Sequence, residues 1–152
     1  MVKKTVKLLI LLLWMGLIFY FSAQAAPESE ETSNLVAEFI YRIYSFLLAD
    51  NASLSRSEFM MRFIQPIRKL AHFSEFMILT VLIFINVIEY QDEKIYLASF
   101  LLGSLYAVSD EIHQLFVENR FCSVYDMLID SAGCLLGIAV CHLIYERWKK
   151  AH

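Results

Sequence analysis

The chain has 152 residues, of which 59% are hydrophobic, 14% aromatic and only 19% charged. Its mean hydropathy is +0.54, whereas roughly a quarter of the residues in an ordinary soluble domain are charged. The formal net charge of −3 provides no basic stripe for a nucleic-acid backbone. The composition therefore argues against a soluble domain and against a nucleic-acid partner, and we expect a single membrane domain over residues 1–152.

Four segments with few or no charges are long enough to cross a membrane. About twenty helical residues cross a hydrocarbon layer of ~30 Å, and backbone groups in lipid must pair internally, which favours helices. The sequence therefore predicts an all-α fold, an integral membrane four-helix bundle with spans at about 6–26, 69–90, 95–116 and 124–145. For the first span the alternative is a secretory signal peptide, because Ala23-Gln24-Ala25 imitates a cleavage site.

The segment between the first two spans is predicted to be an outer interfacial region, at about 33–65. The polar stretch from Glu28 to Asn34 is interpreted as a surface linker. From Leu35 onward apolar residues recur at helical spacing, which predicts an amphipathic helix that lies along the membrane or caps the bundle. A turn at 50–53 precedes a short helix, which opens with a capping box (Ser55 to Glu58) and ends at Pro66.

Basic residues flank the two ends of the predicted bundle. An even number of spans places both termini on one side, and the positive-inside rule assigns that side to the cytoplasm. The residues concerned are Lys3, Lys4 and Lys7 before the first span, and Arg147, Lys149 and Lys150 after the fourth. The expected location is thus a membrane that the chain crosses several times, with both termini in the cytoplasm.

Alternation of the spans brings four polar clusters to one membrane face. At this face the first and third spans end, and the second and fourth spans begin. Residues three or four apart share a helix face. Small residues in line with the carboxylates therefore predict two stripes that face the bundle interior, with close contact at Gly133-x-x-x-Gly137. One stripe comprises Ser99, Gly103, Ala107, Asp110 and Gln114, and the other comprises Asp126, Asp130, Gly133 and Gly137. The candidate binding residues are Lys69, His72, Glu75, Asp110, Glu111, Gln114, Arg120, Asp126 and Asp130.

Ionisable groups within membrane spans are costly and pair with one another or line a wet cavity. This cluster therefore predicts a binding or reaction site for a polar head group, or alternatively a structural ion-pair network. A metal site is the least favoured interpretation, because no HExxH or equivalent spacing is present. We accordingly expect no metal and no cofactor. Cys122, Cys134 and Cys141 form no CxxC pair and are expected to be free thiols that pack.

Four sequence blocks resemble the bacterial VanZ-like family, in order and in spacing. They are Phe21 to Gln24, Arg68 to Phe76, Asp110 to Arg120 and Asp126 to Gly133. The resemblance favours a retained first helix and implies an envelope protein linked to resistance against teicoplanin-type glycopeptide antibiotics. Two departures stand out: Phe76 occupies a position where the family usually has Tyr, and Glu118-Asn119 precedes Arg120 where Pro-Gly is common.

Two functional hypotheses follow. In the first, the outer-face pocket binds the anionic head group of a membrane lipid or a lipid-linked cell-wall precursor, with Lys69 and Arg120 as cationic contacts. In the second, a membrane-embedded hydrolase or transferase acts on a lipid-linked substrate. Its candidate catalytic residues are Glu111 or Asp126 as general base and His72 as acid. The chain has no nucleophile elbow, P-loop or zinc signature, so binding is favoured over catalysis. A homodimer is the expected assembly if four helices alone form too thin a wall around the pocket.

Overall fold

The computed structural model describes residues 2–48, 54–88 and 94–151, and the regular structure in these ranges is helical throughout. In chain order the helices are α1 (Val2–Ser22), α2 (Ala26–Leu48), α3 (Arg56–Val87), α4 (Lys94–Gln114) and α5 (Val124–Ala151). Four of them are long and apolar enough to cross a membrane, over Lys3–Ser22, Arg56–Val87, Lys94–Gln114 and Val124–Arg147. The predicted all-α fold with four candidate spans is confirmed.

Helix α3 is the centre of the bundle, since it packs against each of the other four helices and most extensively against α5. Two glycines of α5 make this approach close. A Cβ atom at Gly133 would collide with the backbone carbonyl of Phe73, and a Cβ atom at Gly137 would lie 2.6 Å from the carbonyl oxygen of Met77. The close contact predicted at these two glycines is therefore present, and the structure shows that its partner is α3.

The interior face of α4 also follows the predicted stripe. Ser99, Gly103, Ala107, Asp110 and Gln114 are all buried. The apolar part of the core continues from this face toward α3 and α5. Its buried members are Ile18, Phe76, Leu79, Ile83, Ala107 and Cys134, with Phe84, Ile95 and Cys141 in a second cluster. All three cysteines are free. The core thus holds two thiols as packing groups.

Hydrogen bonds to backbone carbonyls join helix α1 to the bundle, and two of them lie in its second half. Trp14 Nε1 donates to the carbonyl of Glu75 on α3 at 3.0 Å, and the Tyr106 hydroxyl of α4 donates to the carbonyl of Met15 at 2.9 Å. Ile18 is only 2% exposed between these helices. The first span is therefore an integral part of the packed bundle.

The predicted linker from Glu28 to Asn34 is wrong, because these residues belong to α2. The helix begins at Ala26 and tolerates Pro27, whose missing N–H costs nothing in a first turn. The hydroxyl groups do not compete with the helix either. Thr32 Oγ1 donates to the carbonyl of Glu28 and Ser33 Oγ to that of Ser29, each one turn earlier.

The predicted end of a helix at Pro66 is also wrong, because α3 runs through this residue for 32 residues in all. Proline removes one hydrogen bond from a helix interior, but Pro66 lies on the exposed side of α3. Tertiary packing holds the helix on both sides of it. Phe59 is buried before it and Phe76 after it.

The segment predicted to be interfacial is divided between α2 and the first turns of α3. These two parts pack through Tyr41 and Tyr44 against Phe59, with ring centroids 5.3 and 5.4 Å apart. The predicted capping box at Ser55 and Glu58 is present. Large apolar side chains of α2, including Leu35, remain exposed. Contact of this face with a membrane surface stays a prediction, and the turn predicted at 50–53 lies outside the described residues.

Candidate functional site

The ends of the helices bring the polar clusters of the sequence to one end of the bundle. We call this end the polar end: it comprises the last turns of α1 and α4, the first turns of α5, the α4–α5 loop and the middle of α3. A cavity of about 270 Å³ opens here. Of the nine predicted binding residues, seven line this polar cavity: Lys69, His72, Glu111, Gln114, Arg120, Asp126 and Asp130.

The cationic side of the polar cavity is built around Arg120, which is only 8% exposed. Its backbone N–H donates to the carbonyl of Val117 at 3.2 Å, and its Nε donates to the carbonyl of Gln24 at 3.3 Å. Its Nη1 is buried and has no hydrogen-bond partner among the described residues. Because an unsatisfied buried donor is costly, an acceptor supplied from the cavity would stabilise this nitrogen.

The loop that carries Arg120 turns through Asn119, whose φ angle is 57°. This left-handed conformation favours glycine and is tolerated by asparagine. Asn119 stands at the position of the glycine in the common Pro-Gly pair. Because asparagine tolerates this backbone conformation, the turn forms here without glycine. The loop is also tied to α2, because the N–H of Ala26 donates to the carbonyl of Glu118 at 3.3 Å.

The carboxylates of the polar cavity differ in how well they are satisfied. Asp126 forms an ion pair with Lys69, which links α5 to α3. Glu111 is 2% exposed and accepts a hydrogen bond from the backbone N–H of Ser123 at 2.8 Å. Asp130 is 1% exposed, one turn deeper than Asp126. Neither of its oxygens has a hydrogen-bond partner in the described part of the chain.

Two predicted binding residues do not line the polar cavity. Asp110 is buried behind it and accepts a hydrogen bond from Gln114 Nε2 at 3.3 Å. Glu75 lines a smaller cavity of about 170 Å³ between α1, α2 and α3. Its Oε2 lies 3.8 Å from His72 Nδ1. His72 and Arg120 line both cavities, so the two are neighbours.

Several lining residues were not among the predicted site residues. Arg68 lines both cavities and adds a third cation to Lys69 and Arg120. Its position four residues before His72 was the available signal, because residues four apart share a helix face. The others are Ala26, Gln65, Asn119, Phe121, Ser123 and Ile129. Most of these come from loops or helix ends, where a helical repeat gives no information.

Equal numbers of basic and acidic side chains line the polar cavity. Arg68, Lys69 and Arg120 contribute three positive groups, and Glu111, Asp126 and Asp130 contribute three carboxylates. No group of three or more His, Cys, Asp or Glu side chains among the described residues has a geometry that could hold a metal ion. The arrangement can therefore bind a polar group through hydrogen bonds of both polarities.

Comparison with known proteins yields one match. The family model described as VanZ/LLP1 matches residues 7–145, which is nearly the whole chain. The matched range contains all four candidate spans apart from a few terminal residues, and every residue of the polar cavity. No curated protein matches the chain, and no solved structure matches it.

Proposed function

The chain belongs to the VanZ/LLP1 family, and on that premise we propose that its polar cavity binds the anionic group of a membrane lipid or a lipid-linked cell-wall precursor. The protein acts in a bacterial cell membrane with both termini in the cytoplasm, so that the polar cavity opens at the outer face. In this role it contributes to resistance against teicoplanin-type glycopeptide antibiotics.

The buried guanidinium of Arg120 is the observation that carries this proposal. A buried cation is stable when a counterion and hydrogen-bond acceptors satisfy it, yet Nη1 has no partner among the described residues. Guanidinium presents two parallel donors that fit phosphate or carboxylate oxygens. Arg68 and Lys69 line the same cavity and increase the attraction for an anion.

The second candidate is a hydrolase or transferase that acts on a lipid-linked group. It is supported by the presence of Glu111, Asp126 and His72 around one cavity. In this reaction either carboxylate would act as general base and His72 as acid. Binding is the better supported function, because Asp126 is paired with Lys69 and Glu111 accepts from Ser123, so both bases are engaged with the protein itself.

A lipid-binding measurement tests the proposal directly. The full chain, purified in detergent, is titrated with dioleoyl phosphatidylglycerol, and binding is followed by native mass spectrometry. Arg120→Gln is expected to weaken binding about tenfold, since a hydrogen bond to a charged group contributes roughly 1.5–3 kcal/mol. The matched control is Arg62→Gln, an exposed arginine of α3 that does not line the polar cavity. Equal binding by wild type and Arg120→Gln would contradict the proposal.

The resistance role is tested in a teicoplanin-sensitive Gram-positive host. Wild type, Glu111→Gln and Asp126→Asn are expressed at matched membrane levels, and the minimal inhibitory concentration is measured. An increase with wild type that both variants lack supports a role of these carboxylates in resistance. Turnover of a lipid-linked substrate that is unchanged in both variants would exclude them as general bases.

A further inference from the structure

Asp130 is the least satisfied charged side chain of the polar cavity. It is 1% exposed, and both of its oxygens lack a hydrogen-bond partner among the described residues. Burial of an ionised carboxylate without donors or a counterion is unfavourable. Asp130 is also one of the residues that line the cavity wall.

Three donors at the polar end are engaged with other acceptors. Lys69 Nζ pairs with Asp126, and the N–H of Ser123 donates to Glu111. Gln114 Nε2 donates to Asp110. These three carboxylates thus each have a donor from the protein, whereas Asp130 has none in the described residues.

Charge balance indicates what kind of donor fits. The lining has three cationic and three carboxylate side chains, so a purely anionic ligand would satisfy Arg120 and leave Asp130 facing an additional negative charge. A ligand with one anionic and one cationic group adds no net charge. It would satisfy Arg120 and Asp130 together, which with His72 are the lining residues whose buried polar atoms have no hydrogen-bond partner in the described part of the chain.

We infer that the ligand carries a primary ammonium beside its anionic group, and that Asp130 accepts hydrogen bonds from this ammonium while Arg120 donates to the phosphate or carboxylate. This inference rests on the proposed function and narrows it to one substrate class, a zwitterionic head group of the phosphoethanolamine type. Asp130 is then the residue that determines specificity, and Arg120 is the anchor.

The test compares lipids that differ in the N–H donors of the head group. Phosphatidylethanolamine and phosphatidylcholine have the same net charge and the same phosphate, but the choline nitrogen has no hydrogen to donate. Purified full-length protein is titrated with dioleoyl forms of both. Wild type is expected to bind phosphatidylethanolamine about tenfold more tightly, which corresponds to one additional hydrogen bond to a charged group.

Size is separated from hydrogen bonding by a third lipid, N,N-dimethyl phosphatidylethanolamine, which is almost as bulky as choline but keeps one N–H. It is expected to bind nearer to phosphatidylethanolamine than to phosphatidylcholine. Affinity equal to that of phosphatidylcholine would overturn the inference.

Free O-phosphoethanolamine is added as a competitor in a separate titration. Competition at concentrations close to those of the lipid would identify a soluble head group as the ligand, and absence of competition would identify the lipid.

A variant assigns the preference to Asp130. Asp130→Asn keeps the shape of the side chain and removes its charge, so the preference for phosphatidylethanolamine is expected to fall to about twofold or less. Glu146→Gln, which neutralises a carboxylate near the opposite end of α5, is the matched control and should keep the full preference. If Asp130→Asn fails to fold, the comparison among the three lipids with wild type still decides.

The outcomes distinguish this inference from the proposed function. If wild type binds phosphatidylglycerol most tightly and does not distinguish ethanolamine from choline, the anionic site stands and the ammonium site is wrong. The same result is expected if Asp130 is satisfied by a proton rather than by a ligand. If wild type binds none of these lipids more tightly than Arg120→Gln does, the proposed function itself fails.

Discussion

Lys69 of α3 and Asp126 of α5 form an ion pair at the mouth of the polar cavity. Lys69 Nζ also lies 4.7 Å from the ring centroid of Tyr125, which precedes Asp126 in the chain. The pair thus joins the first turn of α5 to the middle of the central helix, at the place where the cavity opens. Both side chains are 36% exposed, so water screens part of their attraction.

Exchange of the two charges tests this pair. Lys69→Asp and Asp126→Lys are each expected to destabilise the protein, because each places two like charges together. The double variant restores an opposite pair and should recover about 0.5–1 kcal/mol of coupling, the range for partly exposed pairs. Thermal unfolding in detergent measures it. Additive losses without recovery would show that the pair has no energetic coupling, and Arg62→Ala on the exposed side of α3 is the control.

Close packing of α3 on α5 makes Gly133 intolerant of larger residues. A Cβ atom there would collide with the Phe73 carbonyl, which is backbone and cannot move away cheaply. Gly133→Ala is therefore expected to lower the free energy of unfolding by about 1–3 kcal/mol, as overpacking does.

The matched control for Gly133 lies in α1. A Cβ atom at Gly16 meets nothing within 4 Å, so Gly16→Ala introduces the same methyl group into a helix without a collision. It is expected to leave stability unchanged or to raise it by up to about 1 kcal/mol, because alanine has the higher helix propensity. Equal losses in both variants would contradict the packing argument.

The interior of the bundle was more predictable from sequence than its connections. Repeats of three and four residues identify which face of a helix is buried, and they correctly placed Gly133, Gly137 and the α4 stripe. Alternation of spans also placed seven predicted site residues around one cavity. These inferences depend on the periodicity of a helix and on the requirement that polar groups avoid lipid.

The errors lie where tertiary contacts override a local signal. Proline is unfavourable inside a helix, so Pro66 considered alone predicts a helix end. The packing of Phe59 and Phe76 on either side nevertheless keeps α3 continuous. The polar residues after Glu28 have the composition of a linker and nonetheless form α2, with Ser29 buried. Arg68 was not predicted as a site residue, because a pair of neighbouring basic residues such as Arg68 and Lys69 is also common at a membrane surface. Only the folded chain shows that Arg68 lines the cavity.

The pairing of α2 with α3 has a test that depends on pH. Glu38 of α2 accepts a hydrogen bond from Arg56 Nε at 2.6 Å, and this contact, together with the charges of Arg56 and Arg42, lowers the pKa of Glu38 below its ordinary value. A carboxylate whose pKa is lowered in the folded state stabilises that state above its unfolded pKa. The contribution is lost as the pH falls through the folded pKa.

An NMR titration of the Glu38 side-chain carboxyl in detergent micelles measures this shift. Wild type is expected to titrate below the value of an unperturbed glutamate, about 4.3. Arg56→Gln should return the pKa toward that value, whereas Arg62→Gln on the same helix should leave it lowered. An unshifted pKa in wild type would show that α2 and α3 do not form this contact in solution.

Membrane orientation decides which compartment supplies the ligand, and Cys122 is a natural probe of it. This residue lies in the α4–α5 loop beside the polar cavity and is half-buried, whereas Cys134 and Cys141 are buried in the bundle. With both termini in the cytoplasm, a membrane-impermeant maleimide is expected to label intact bacterial cells that express wild type. Cys122→Ser should abolish the label while the protein level stays constant.

Labelling that appears only after the membrane is permeabilised would place the polar cavity on the cytoplasmic side. A cell-wall precursor on the outer surface could then not reach Arg120, and the ligand would have to come from the inner leaflet.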